Sequence, residues 1–220
     1  MNQRFASSAI AVVALVALAL APELARAETI HLQIDTQKSQ LTVDVEEPLS
    51  RFRDVPFTGG SFRIVSGEIS GDPSDVATTG HVQLTIDMTT YSSGSDRRDR
   101  TILSSSLETR LYPTATFVST RIEKVEVVVP GAVGAATVVG NLTLHGTTRP
   151  LNVPVRLSLS PEGELTCDGE VTFRYTDYGV KVPRLAYLAP AGDEATVKFR
   201  IIARNPAASP APSPGNGGSP

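Results

Sequence analysis

HVQLTIDM, residues 81–88, alternates without a break. Val82, Leu84, Ile86 and Met88 fall on one side of an extended chain, and His81, Gln83, Thr85 and Asp87 on the other. Successive side chains of a β-strand point to opposite faces, so this is the pattern of a strand with one buried face. The same period recurs upstream. Ile30, Leu32 and Ile34 alternate with polar residues, Leu41, Val43 and Val45 follow, and Phe62 and Ile64 open a run that ends near the turn signal Gly71-Asp72-Pro73. Downstream, residues 114–120 and 123–129 read as two strands, the second broken by Pro130-Gly131. Residues 136–145 and 148–159 read as a pair joined around Gly146, with Leu151, Val153, Val155, Leu157 and Leu159 on one face. Pro154, on the other face, predicts an edge position or a bulge there. Residues 164–175, with Val171, Phe173 and Tyr175 on one side, and 195–203, with Val197, Phe199 and Ile201, complete the set.

One segment breaks the strand pattern. SDRRDRTILSSSLETRLYPTATF, residues 95–117, places Leu103, Leu107 and Leu111 four residues apart beside Ile102, a narrow apolar stripe of helical period. Ser95 or Asp96 can cap its start, and Pro113 predicts its stop. Arg97, Arg98 and Arg100 stand in the first turn, where the helix dipole disfavours cations, and Asp96 and Asp99 offset part of that cost. A broken local rule points to a tertiary role, either a clamp to the sheet or a polar mouth. Short strands in series with one helix predict an antiparallel sandwich or barrel, and the absence of a blade-length repeat argues against a propeller. A sheet closed on itself would remove exposed edges, but period alone does not separate a barrel from a sandwich.

Composition narrows the function classes. Arg4, the apolar run 9–21 and Ala25-Arg26-Ala27 form the three parts of a secretory leader, which predicts cleavage after residue 27 and a periplasmic or secreted protein. The apolar run is too short for a comfortable membrane span, so no stable membrane insertion is expected. Residues 205–220 contain only Asn, Pro, Ala, Ser and Gly and read as a disordered tail. The 28–204 unit between them, roughly 175 residues, is long enough for one domain with a sizeable core. A single cysteine, Cys167, excludes an internal disulfide, and a net charge of −3 with interspersed signs gives no nucleic-acid signature.

Several motifs together resemble one family. Arg98-Asp99 precedes the short helix, Tyr112-Pro113-Thr114-Ala115-Thr116-Phe117 follows it, and GNLTLHGTTRPL occupies residues 140–151. Ile34-Asp35 with Ser39 comes earlier and Tyr178-Gly179-Val180 later. This ordered set, spanning about residues 29–203, resembles the YceI-like family of exported bacterial proteins. The resemblance implies an all-β, lipocalin-like antiparallel barrel with one short helix near an opening. It implies an apolar tunnel holding a long-chain isoprenoid or another lipid with an amide or quinone head, and no catalysis. Arg98 and Asp99 then become an anchoring pair for the helix, with Tyr178 near the same mouth. Where many members carry aromatics after the helix, this chain has Leu107-Glu108. With no tryptophan and 5% aromatic residues, the tunnel is expected to be lined mainly by aliphatics.

The expected lining is Val82, Leu84, Ile86 and Met88 from one strand and Phe117 from the next. Leu142 and Leu144, Val153 and Val155, and Phe173 and Tyr175 come from the later strands. His31 and His81 lie on polar faces, and His145 lies at a turn, so turn packing is expected of it rather than a ligand role. None has metal-ligand spacing, and no metal or cofactor is expected. Cys167 has no neighbouring base to activate it. Asn141-Leu142-Thr143 matches a glycosylation sequon but falls within a strand.

A buried methylene contributes about 0.8 kcal/mol, so a few isoprene units supply micromolar affinity with hardly any polar contact. The expected partner is therefore a long isoprenoid or similar lipid, with a homodimer left open. A rival reading is a filled barrel or sandwich serving as a structural or stress-related interaction module. A third is a dispersed enzyme site around Arg98, Asp99 and Tyr178.

Overall fold

The computed structural model describes residues 29–45, 59–126, 130–183 and 192–206. The leader (1–27), most of the tail (207–220) and residues 127–129 lie outside that set. Nine strands form one antiparallel sheet: β1 (Ile30–Ile34), β2 (Gln40–Val45), β3 (Gly60–Gly71), β4 (His81–Ser92), β5 (Thr114–Glu123), β6 (Val133–Leu144), β7 (Thr147–Leu159), β8 (Leu165–Arg174) and β9 (Glu194–Arg204). Pairing of β3 with β4 closes the sheet into a barrel.

The barrel has eight staves, because β1 and β2 share one. β1 lies against the last residues of β3 and the end of β9, and β2 against the start of β3 and the first half of β9. The kink between them is chemically specified. Asp35 Oδ1 accepts from the amides of Gln37 and Lys38, and Ser39 Oγ accepts from the amide of Ile202 at 3.0 Å. An aspartate that bonds the backbone two residues on makes a local turn at little cost. Asp35 and Ser39 are thus the hinge of a bent stave.

The strand order explains where the alternation pointed. Val82, Leu84, Ile86 and Met88 all face the barrel interior, as do Leu151, Val153, Val155, Leu157 and Leu159. β6 and β7 meet in a two-residue hairpin, with His145 (φ 51°) and Gly146 (φ 75°) both left-handed between the paired Leu144 and Thr147. Two positive φ angles are what a type I′ turn requires, and its twist matches that of the strands.

Three expectations are corrected. Of the strand expected over 123–129, Glu123 ends β5, Lys124 has φ 53°, residues 125 and 126 are irregular, and 127–129 lie outside the described residues. A second short helix, α1 (Val76–Thr79), follows the Gly71-Asp72-Pro73 turn, with the Asp75 side chain accepting from the amide of Thr78. Of the two alternatives for Pro154 the bulge falls and the edge holds, though only locally. β7 pairs with β6 along its length, and with β8 only from Val155↔Gly169 to Leu159↔Leu165. The proline stands where the ladder to β8 stops, a position where a missing amide is tolerated. Beyond it the two strands part, and a 3₁₀ turn, Tyr175–Tyr178, packs against β7 and β9. There Tyr178 is 2% exposed, its ring is edge-on to Phe173 at 5.5 Å, and Arg149 Nε donates to the Asp177 carbonyl at 2.7 Å.

Candidate functional site

The barrel encloses an apolar cavity of about 870 Å³, toward the upper end of the roughly 300–1,000 Å³ usual for small-molecule sites. It runs the length of the barrel. One end is bounded by the helix after β4, and the other by α1, Val125 and Gly163. Every residue expected inside lines it: Val82, Leu84, Ile86, Met88, Phe117, Leu142, Leu144, Val153, Val155, Phe173 and Tyr175. Two packed clusters divide the lining. One centres on Ile86, Met88, Leu142 and Leu144 and the other on Val138, Val153 and Val155, and Phe117, Leu151, Cys167 and Phe199 pack against both. These four join the two clusters. Phe117 lies flat there against Gly140, where an added Cβ would meet its ring at 2.5 Å. The glycine lets the ring hug the wall instead of crossing the lumen.

At the helical end the sequence reading needs correcting. Helix α2 (Asp96–Thr101) continues as a single π-turn, Ile102–Ser106, and stops at Glu108, whose φ is 46°, well before Pro113. The expected stripe is therefore dispersed: Leu107 lines the cavity, Leu103 is half-buried and Leu111 is 71% exposed. The residues that face the lumen are Arg98, Ile102, Ser106 and Leu107. Periodicity could not show this, because a π-turn inserts one residue into the repeat and rotates everything after it.

The predicted anchoring pair separates into two roles. Asp99 Oδ1 accepts from the amide of Ser93 at 3.0 Å and from the Ser93 hydroxyl, tying the helix to the end of β4. Arg98 lines the cavity, and Tyr178 belongs to the 3₁₀ turn beside β7. Asp99→Ala strips two charge-assisted bonds and should cost about 1–3 kcal/mol in urea denaturation. It should also speed amide exchange at Ser93 and through α2, and unchanged exchange there would show that the helix is held by other contacts.

The motif residues meet above this end. The ring of Tyr112 lies 4.1 Å from that of His145, and His145 Nε2 is 3.0 Å from Glu108 Oε2. Lys181 Nζ donates to Glu108 Oε1 at 3.1 Å. Glu108 joins three separate segments, which accounts for a non-glycine residue at a left-handed position costing about 1–2 kcal/mol. The Lys181 hydrogen bond, aided by the charge of Lys181 and by His145, holds the Glu108 carboxyl below its usual 4.5, against an opposing effect of burial. A carboxylate held low lends stability that is complete above its unfolded value and lost as pH falls through the folded one. Protection of residues 107–112 in hydrogen exchange should therefore weaken as pH drops below 4.5. Glu108→Gln should abolish that acid response, and an identical response in the variant would assign it elsewhere.

Cys167 lines the cavity, and burial, reinforced by the charge of Asp168, pushes its thiol up to about 12. It is a lining group and carries almost no thiolate at neutral pH. Tyr175 is likewise pushed up to about 12, by burial and then by Asp193, and its hydroxyl donates to the Gly192 carbonyl. His31 is exposed and His81 half-buried, while His145 occupies the hairpin turn. Among the described residues, no three His, Cys, Asp or Glu side chains converge as a metal site would require, and no helix is long and apolar enough to cross a membrane.

A closed eight-stave barrel around a continuous apolar lumen has the architecture of lipocalin-like proteins. The YceI-like domain model matches residues 32–203, and the chain belongs to the YceI-like family. Among curated relatives, it is 30% identical over 137 residues to a UPF0312 protein of Pseudomonas putida, covering 58% of this chain and 66% of that one. A UPF0312 protein of Vibrio parahaemolyticus is 34% identical over 98 residues, covering 44% of this chain and 48% of its own length. The chain thus spans about half to two thirds of these relatives. Two solved structures share the fold. Burkholderia cenocepacia BcnA superposes with a TM-score of 0.63 at 24% identity, covering 77% of this chain and 98% of its own. A polyisoprenoid binding domain from Saccharophagus degradans gives 0.61 at 18% identity, covering 80% and 98%.

Proposed function

We propose that this protein is exported and holds one long apolar molecule, an isoprenoid or a lipid of similar shape, inside its barrel, as a binding protein and not an enzyme. The observation that carries this reading is the lumen itself, about 870 Å³ of aliphatic-lined space running from one end of the barrel to the other. The description of the Saccharophagus degradans domain as polyisoprenoid binding supports it, and the leader pattern at residues 4–27 supports export. Residues 28–204 would be the main part of the binding unit, with Asn205 also at the cavity lining. Every methylene taken from water into the lumen contributes about 0.8 kcal/mol, but a lipid tail in a membrane is already out of water. Transfer from membrane to barrel is then nearly neutral. That balance suits a carrier or shield that loads and unloads, and would not suit a sink.

The test is organic extraction of the protein purified from a bacterial host that exports it, followed by mass spectrometry. A long-chain apolar lipid near one per barrel is expected. Reproducible absence of any lipid, together with no uptake of added polyisoprenoid alcohol, would overturn the proposal.

A further inference from the structure

One polar group in the lumen has nothing to bond to. Ser106 is 3% exposed and lines the cavity, and its Oγ has no hydrogen-bond partner among the described residues. Its neighbours show what a hydroxyl in this segment ordinarily does. Thr101 Oγ1 donates to the Arg97 carbonyl at 3.1 Å, and Ser104 Oγ to that of Arg100 at 2.7 Å, each bonding four residues back. The equivalent acceptor for Ser106 is the Ile102 carbonyl, and the π-turn gives that carbonyl to the amide of Leu107 at 2.9 Å. The same turn places Ser106 and Leu107 side by side on the lumen. A buried hydroxyl without a partner is costly, and native proteins keep few of them.

The remaining polar groups of the lining are either occupied or at the far end. The Tyr175 hydroxyl is bonded to Gly192, the Lys181 ammonium to Glu108, and Arg98 has an interaction of its own. Ser74, Asp75 and Glu126 lie exposed at the α1 end. We infer that Ser106 is the head-group site of the lumen. It takes the uncharged, oxygen-bearing head of the ligand, a carbonyl or hydroxyl oxygen accepting from Ser106 Oγ, while the apolar chain runs along the lumen toward α1. An anionic head is disfavoured, because both cations at this end already have partners and an unpaired buried charge is far more costly than a neutral dipole. This inference rests on the proposed binding of an apolar ligand.

The experiment compares dodecane, dodecanamide and dodecanoate as competitors for bound diphenylhexatriene at pH 8, in the wild-type chain and in Ser106→Ala. Wild type should bind dodecanoate more weakly than dodecanamide. Ser106→Ala should weaken dodecanamide by about five- to tenfold, the worth of one net hydrogen bond, and leave dodecane binding unchanged. In the ligand-free protein it should leave the melting temperature the same or higher, since an unpaired hydroxyl is removed, whereas a structural role would lower it. Dodecanamide affinity unchanged in Ser106→Ala, or a wild-type preference for dodecanoate over dodecanamide, would overturn the head-group site alone. Failure of dodecane and diphenylhexatriene themselves to bind would overturn the lumen as a ligand site, and the head-group assignment with it.

Discussion

Leu151→Trp is expected to leave the barrel folded and to remove most of its capacity for a long apolar ligand. Leu151 lines the cavity and packs against both clusters of its lining. An indole there has open space to enter, so the overpacking cost should stay within about 1–3 kcal/mol. Its effect on a threaded ligand is larger. Shortening the usable channel by about five methylenes at 0.8 kcal/mol each forfeits roughly 4 kcal/mol, close to a thousandfold in affinity. Displacement of diphenylhexatriene by a C20 polyisoprenoid alcohol measures the loss, and far-UV circular dichroism checks the fold. Affinity within threefold of wild type would mean that the ligand does not pass Leu151.

Tyr178→Ala should produce the largest loss of stability of any single substitution considered. The ring is 2% exposed and edge-on to Phe173, in the turn that occupies the gap between β7 and β8. Truncating a buried aromatic to alanine costs about 3–5 kcal/mol, and a barrel of this size should lose on the order of 10 °C in Tm. Tyr178→Phe keeps the ring and should stay within about 1 kcal/mol of wild type. The two variants separate filling the gap from bonding across it, and equal losses in both would assign the stability to the hydroxyl. Burial raises the Tyr178 phenol above its usual 10, so the group stays neutral through the physiological range and this comparison does not depend on pH there.

How much of this was legible in the chain depended on how local each feature is. A strand face is local. The period of two at Val82–Met88 and Leu151–Leu159 placed the lining before any fold was known, because a barrel wall must present alternate residues inward. The His145-Gly146 hairpin was local too. Closure was not: the shared stave depends on β1 meeting β9, and the hinge at Asp35 and Ser39 gains meaning only beside Ile202. The π-turn escaped for another reason. Arg98, Ile102 and Ser106 fall four apart, as on one face of a regular helix, so their spacing gives no sign of the residue that the turn inserts before Leu107. Pro154 signalled an edge that is local, and the sequence could not say that β7 is paired on both sides only beyond it.

The shared stave also sets the order in which the molecule can be made. Gln33 pairs with Arg204 and Ile34 with Ala203, so the first strand finds its second neighbour only in the last one. Before β9 arrives, β2 and β8 both show unpaired edges to solvent, and most contacts still to be formed join residues distant in sequence. Folding of such a chain is slow and ends in a single late step. A polypeptide emerging from a ribosome would stay open and threadable until its final described strand was complete, and then close around whatever the lumen contains.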